Sequence, residues 1–217
     1  MSNEEKGAVS CKVVLIGESG VGKTSIISRF ITNTFSSILM STTGASFATK
    51  SIYVEKEDRT VVFEIWDTAG QEKYRSLAKV FYKNASVCLL VYDIARKASF
   101  DEIKNYWFKE IQSNASDNVI LALAGNKSDM YEFEEVSDEE AKAYAKEINA
   151  IFQKTSAKME TGVNELFKMI AEKFVNPQTE NISNLTNKEL KKRGEKLKKD
   201  KNKNDNNNNN KNGKCCS

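Results

Sequence analysis

Gly17-Glu18-Ser19-Gly20-Val21-Gly22-Lys23-Thr24 follows an apolar run, Lys12–Ile16, and leads into a segment of helical pattern, Ser25–Phe30. The order strand, glycine-rich loop, helix is that of the phosphate-binding pattern GxxxxGK[ST]. Glycines let the backbone wrap so that several N–H groups point inward, and the helix N-terminus adds partial positive charge. Lys23 offers a full charge to β- and γ-phosphates, and the Thr24 hydroxyl is a hard oxygen ligand for magnesium. This much implies a nucleoside triphosphate. ATPases, nucleotide kinases and GTPases all use such a loop.

On either side of that loop, apolar runs of strand type alternate with segments of helical period. The strands read are Lys12–Ile16, Phe47–Val54, Val61–Trp66, Val87–Tyr92, Ile120–Ala124 and Ile151–Gln153. Helical patterns fall near 23–32, 73–83, 99–113, 138–149 and 163–175. Two of these open with capping-box signatures, Ser99-x-x-Glu102 and Ser137-x-x-Glu140. Only the short charged stretch Glu55–Thr60 separates the second and third strands, which predicts an antiparallel hairpin. Helices separate the others, which predicts parallel pairing, and solidly apolar strands fit a sheet covered on both faces. The expected class is α/β, a P-loop NTPase fold: a doubly wound, six-stranded, mostly parallel sheet with one antiparallel strand.

Asn126-Lys127-Ser128-Asp129 follows the strand Ile120–Ala124, at the carboxyl edge where such sheets bind ligands. A carboxylate accepts two hydrogen bonds, and guanine presents two adjacent donors, N1 and N2. Adenine has no such pair, so Asp129 rejects it by leaving a buried acceptor unpaired.

Together with Trp66-Asp67-Thr68-Ala69-Gly70-Gln71-Glu72 and Thr155-Ser156-Ala157-Lys158, these motifs stand in the order and spacing of the Ras-like small GTPases. The resemblance spans roughly residues 10–176. WDTAGQE and the terminal Cys-Cys pair resemble the Rab branch. Gly17-Glu18-Ser19, Thr43-Gly44-Ala45-Ser46-Phe47 and Ala122–Lys127 are most similar to the early-endosomal Rabs. A nuclear-transport GTPase shares WDTAGQE, but that relative ends in an acidic tail without cysteines.

The resemblance implies roles position by position. Ser19, Gly20, Val21, Gly22, Lys23, Thr24, Ser25, Thr42 and Gly70 would surround the phosphates of GTP or GDP. Thr24, Thr42 and, through water, Asp67 would hold Mg2+. Phe35 would lie across the base and Lys127 against its other side. Asn126, Asp129, Ser156, Ala157 and Lys158 complete the guanine set, with the Ala157 N–H on the guanine oxygen. Gln71 would orient the attacking water, since the chain has no histidine to act as base. A neutral amide is a weak base, so slow intrinsic hydrolysis and an activating protein are implied. Loss of the γ-phosphate, sensed by Thr42 and Gly70, would release segments of roughly 35–47 and 68–82. Phe47, Trp66 and Phe81 match the aromatic triad that Rabs present to effectors, although the last is usually tyrosine. Exchange factor, GTPase-activating protein, GDP-dissociation inhibitor and prenylation machinery are the further partners implied. Three departures stand out: Thr43 where isoleucine is usual, Ser19 where Ras has glycine, and Lys154 in place of an acid before TSAK.

Composition divides the chain in two. The 217 residues are 40% hydrophobic and 29% charged, with a net charge of +3. Residues 188–217 hold 11 basic and 4 acidic side chains, a net +7 that leaves −4 on the rest. The expected domains are a GTP-binding domain at 10–176 and a basic, Asn-rich tail at 177–217, disordered beyond the single proline, Pro177. Cys11 and Cys88 sit in apolar runs and read as reduced core thiols, since neither a CxxC pair nor histidine points to zinc. The first residues lack a signal peptide's apolar core, and Ser2 excludes myristoylation. Lys191–Lys203 could pass for a nucleic-acid-binding arm, but it has no interleaved aromatics and runs toward Cys215-Cys216-Ser217. That terminus does not fit a CaaX frame. It resembles the double-geranylgeranyl signal, and two lipids beside a basic segment would anchor stably. The expectation is the cytoplasmic face of an intracellular membrane, endosomal by motif, with a cytosolic pool and no nucleic acid.

Overall fold

The computed structural model describes residues 7–38, 42, 45–68 and 80–177. The six strands and the α-helices lie in Met1–Val175, the first of two units; the second is Asn176–Ser217. Gly70, Gln71, Thr43, Cys215 and Cys216 lie outside the described residues, as does the expected tail beyond Pro177.

Six strands form one sheet in the order β2-β3-β1-β4-β5-β6. They are β1 (Val9–Ile16), β2 (Ala45–Val54), β3 (Arg59–Thr68), β4 (Val87–Asp93), β5 (Ile120–Asn126) and β6 (Ala150–Lys154). β2 and β3 form the antiparallel hairpin, closed by a 3₁₀ turn at Glu55–Glu57, and every other pair is parallel. The doubly wound, mostly parallel α/β class is what the apolar runs indicated. Several strands run past those runs into polar residues. β3 carries Asp67 and Thr68, β4 ends on Asp93 and β5 on Asn126, and Asp93 lies opposite Asn126 in the ladder. The backbone ladder holds these side chains at the carboxyl edge of the sheet, where hydrophobic patterning alone ends the strands too early.

Helices cover both faces: α1 (Lys23–Thr32), α2 (Lys97–Glu102), α3 (Phe108–Asn114), α4 (Asp138–Glu147) and α5 (Val163–Val175). A π-helical segment, Ile103–Trp107, joins α2 to α3. Of the helix expected near 73–83, residues 80–82 are helical and 69–79 lie outside the described residues. The two-residue period of the strands assigns their side chains to two cores. Val13, Leu15, Phe63, Leu89 and Val91 pack with Ile26 and Phe30 of α1 and Leu166, Phe167 and Ile170 of α5. Val14, Ile16, Cys88, Leu90 and Tyr92 pack with Phe100, Ile103, Trp107, Ala141 and Tyr144. The first core centres on Phe30 stacked against Phe167, ring centroids 3.7 Å apart, with Phe63 edge-on to both. Such aromatic pairs contribute about 0.5–1.5 kcal/mol beyond their burial.

The two capping signatures part company. Ser137 is the N-cap of α4, its Oγ accepting from the Glu140 N–H at 3.2 Å. The Glu140 carboxylate does not return the bond but pairs with Lys97 at 2.7 Å and Lys104 at 3.3 Å. Ser99 is not a cap, contrary to expectation. α2 starts earlier, at Lys97, and Ser99 is buried within its first turn. Its hydroxyl donates to the Arg96 carbonyl at 2.7 Å and accepts from the Asp93 N–H at 3.0 Å. The turn after β4 therefore closes on a serine that a local pattern assigns to the helix start. Cys11 and Cys88 are free and buried, and burial pushes both thiols up to about 12, leaving them protonated and unreactive at neutral pH.

Candidate functional site

Between β1 and α1 the chain turns at the edge of the sheet where β1 passes β3 on one side and β4 on the other. Gly17 and Gly22 adopt positive φ, 148° and 96°. A Cβ at Gly17 would strike the Val91 carbonyl, and one at Gly22 the Asn126 amide nitrogen, so neither position admits a side chain. Gly22 is the N-cap of α1 and gives it no side-chain hydrogen bond. The first N–H groups of the helix are thus left for an anion, with the dipole behind them.

That turn opens on a cleft of about 510 Å³ whose lining includes Ser19, Gly20, Gly22, Lys23, Thr24, Ser25 and Thr42 at one end. Lys23 is 6% exposed and donates to the carbonyls of Gly17 and Glu18, both at 2.8 Å. Burial pushes its ammonium down to about 8, against the pull of Asp67 and Glu18 and with a further push from Arg96. Of the residues expected around the phosphates, Val21 is fully buried among core side chains, so only its backbone is on offer.

Three oxygen donors meet beside Lys23. The Thr24 hydroxyl donates to Asp67 Oδ2 at 2.6 Å, Thr42 Oγ1 lies 3.0 Å from Thr24 Oγ1, and Thr42 reaches the same Asp67 oxygen at 3.5 Å. Among the described residues, Asp67 Oδ1 is buried with no hydrogen-bond partner. Burial raises the Asp67 carboxyl, while the Thr24 bond and the Lys23 charge oppose it. Two hydroxyls and a carboxylate with an unused oxygen suit a small hard cation that keeps some of its water. Thr24, Thr42 and Asp67 fit magnesium. When bound, it would neutralise charge on the transferring phosphoryl group.

The far end of the cleft is lined by Phe35, Asn126, Lys127, Asp129, Met130, Ala157 and Lys158. Asp129 projects a carboxylate that is 14% exposed, with Oδ1 accepting from the Ser156 hydroxyl at 2.6 Å and Oδ2 3.8 Å from Lys158 Nζ. Ser156 is fully buried, so its hydroxyl sets Asp129 instead of facing the cleft. Asn126 donates to the Val21 carbonyl at 2.8 Å and accepts from Thr155 at 3.1 Å, tying phosphate loop to base loop. Lys127 takes a left-handed conformation, φ 64°, and pairs with Asp93 at 2.7 Å.

Local patterns missed the supports. Asp93 and Thr155 are two; Arg29 and Arg96 are the others. Arg96 donates to the Ser19 carbonyl at 3.0 Å and pairs with Glu18 at 3.3 Å, bracing the phosphate loop. Thr155 opens the TSAK stretch, but no short motif announces Asp93, Arg29 or Arg96, whose partners Lys127, Ala157 and Ser19 are distant in sequence. Lys154, the departure before TSAK, ion-pairs with Glu134 at 3.0 Å and Asp138 at 2.9 Å, away from the cleft lining.

Away from the cleft, Phe47, Trp66 and Phe81 form a continuous aromatic row, with centroids 5.1 Å and 5.3 Å apart, and Phe47 is 53% exposed. Lys12 Nζ lies over the Trp66 ring at 5.6 Å.

A phosphate loop, a magnesium-type oxygen cluster and a carboxylate at the base end, on a doubly wound sheet, define the class of guanine-nucleotide-binding P-loop proteins. The sequence model of the Ras family matches residues 12–176, and the chain belongs to that family. It is a small GTPase, binding GTP and GDP and hydrolysing GTP to GDP and phosphate. Its family works with magnesium and with exchange factors, GTPase-activating proteins and effectors.

Proposed function

We propose that this GTPase is a Rab-type switch that directs vesicle traffic from the cytoplasmic face of an endosomal membrane. The aromatic row carries the reading. Phe47 and Trp66 are cross-strand neighbours on β2 and β3, and Phe81 packs on Trp66 to complete the surface. Hydrolysis would alter the chain on either side of Phe47 and Trp66, so a partner reading that surface would read the nucleotide as well. The WDTAGQE motif and the early-endosomal likeness of Gly17–Ser19 and Ala122–Lys127 support the branch. Cys215 and Cys216 supply two sites for geranylgeranyl chains, and the +7 charge of residues 188–217 favours an anionic leaflet. In this role residues 10–176 are the switch and 177–217 the tether. A GDP-dissociation inhibitor would maintain the cytosolic pool by covering the lipids.

The test compares the full-length chain with Cys215→Ser/Cys216→Ser in cells, by fractionation, intact mass and co-staining of endosomes. The wild type should carry two prenyl groups and sediment with endosomal membranes, and the variant should be soluble. An unlipidated, diffuse wild type would remove the anchor, and accumulation in the nucleus would favour the nuclear-transport relative.

A further inference from the structure

We propose that Arg29 is a positioning residue that latches the base end of the cleft by joining its two walls, and so sets the rate of nucleotide release. Arg29 lies in the last turn of α1 and its side chain is 10% exposed. One wall of the base end carries Phe35, two residues beyond Asn33; the other carries Ala157 and Lys158. Arg29 holds both. Its Nε donates to the Ala157 carbonyl at 2.8 Å and Nη2 reaches the Lys158 carbonyl at 3.4 Å. Nη1 donates to the Asn33 carbonyl at 2.8 Å and to Asn33 Oδ1 at 3.1 Å, and pairs with Glu160 at 3.4 Å.

Asn33 is held from the backbone as well, since its N–H donates to the Arg29 carbonyl at 3.1 Å while φ sits at 55°. The point at which the chain leaves α1 toward Phe35 is thus held by Arg29 and Asn33, with the Thr32 and Thr34 hydroxyls 2.7 Å apart beside them. On the opposite wall, the bond to the Ala157 carbonyl fixes the peptide plane between Ala157 and Lys158. In a trans peptide the Lys158 N–H must then point away from Arg29. Only a guanidinium can serve these directions at once. Its donors form a rigid planar fork, whereas a lysine ammonium is a single point charge. Arg96 makes a useful contrast, because its bonds go to Glu18 and Ser19 at the phosphate end.

A nucleotide leaving the cleft must separate the two walls, so the latch acts on GDP and GTP alike. The inference rests on the guanine-nucleotide reading of the cleft. It is tested by stopped-flow release of mant-GDP and mant-GppNHp from the wild type, Arg29→Lys and Arg29→Gln. Hydrogen exchange on the GDP-loaded proteins accompanies it. Both variants should release both nucleotides about ten- to hundredfold faster, by the same factor, as expected for losing charge-assisted hydrogen bonds. The amides of Ser156–Glu160 should lose protection while those of β4 keep theirs. Release within about twofold of wild type by a folded variant would overturn the latch. So would acceleration confined to one nucleotide. Should Arg29→Gln fail to fold, Arg29→Lys, which keeps the charge and the aliphatic stem, decides the matter. A wild type that retains no mant-GDP would overturn the nucleotide reading instead.

Discussion

The Thr24 hydroxyl donates a 2.6 Å hydrogen bond to Asp67 Oδ2, joining the first turn of α1 to the end of β3 across 43 residues of sequence. Asp67 is 1% exposed, so this bond and the neighbouring Thr42 keep a buried carboxylate in place beside Lys23. Thr24→Val removes both the donor and a metal oxygen. Nucleotide release from the wild type should speed strongly when magnesium is chelated. Release from Thr24→Val should be fast already and should change little on chelation. Fluorescence of mant-GDP with and without EDTA measures both.

Lys23 gives a pH dependence with a definite sign. Its ammonium is pushed down from 10.5 to about 8 by burial, and an anionic ligand would restore it. Affinity for GDP should therefore be level below about 8 and fall as pH rises through that value, by at most tenfold per unit. Its effect on folding runs the other way. The unfolded state binds the extra proton between about 8 and 10.5, so the unfavourable contribution of Lys23 to stability is relieved as pH rises through that window. The ratio of association to dissociation rates for mant-GDP, measured from pH 7 to pH 10, checks the first; chemical melts over the same range check the second.

Asp129→Asn exchanges an acceptor pair for one acceptor and one donor. Affinity for GDP should drop by at least about tenfold, since a bond to a charged group is worth roughly 1.5–3 kcal/mol. Xanthosine diphosphate, whose ring edge is complementary to the amide, should gain. Competition between the two diphosphates for the variant measures the exchange. Retained guanine preference would assign selectivity to another residue.

Gln71→Leu should leave nucleotide binding intact and nearly abolish activator-stimulated hydrolysis, read as phosphate released in a single turnover. Unchanged turnover would remove Gln71 from the reaction.

Local sequence carried much of this site. Glycine at 17, 20 and 22, the charge of Lys23 and the carboxylate of Asp129 stand in short motifs whose ligand chemistry is legible locally, although what excludes a Cβ at Gly17 and Gly22 is Val91 and Asn126, far along the chain. The roles expected of them come from the sequence, before any fold is known. Ser99 shows the limit of such reading. Ser99-x-x-Glu102 and Ser137-x-x-Glu140 share a pattern, yet only Ser137 caps a helix, because the turn after β4 draws Ser99 inside.

By itself, the sequence determined the alternating α/β class, the hairpin, the glycine-rich loop after β1 and the position of Asp129 after β5. Each depends on periodicity or on spacing within one short segment. The tertiary structure alone decided what supports them. It brought Arg29 to Ala157 and Arg96 to Ser19, passed Asn126 between Val21 and Thr155, and left one oxygen of Asp67 buried without a partner among the described residues. These contacts join segments far apart along the chain. A buried polar group must find its partner wherever the sheet and helices bring one within reach, and no local pattern encodes that.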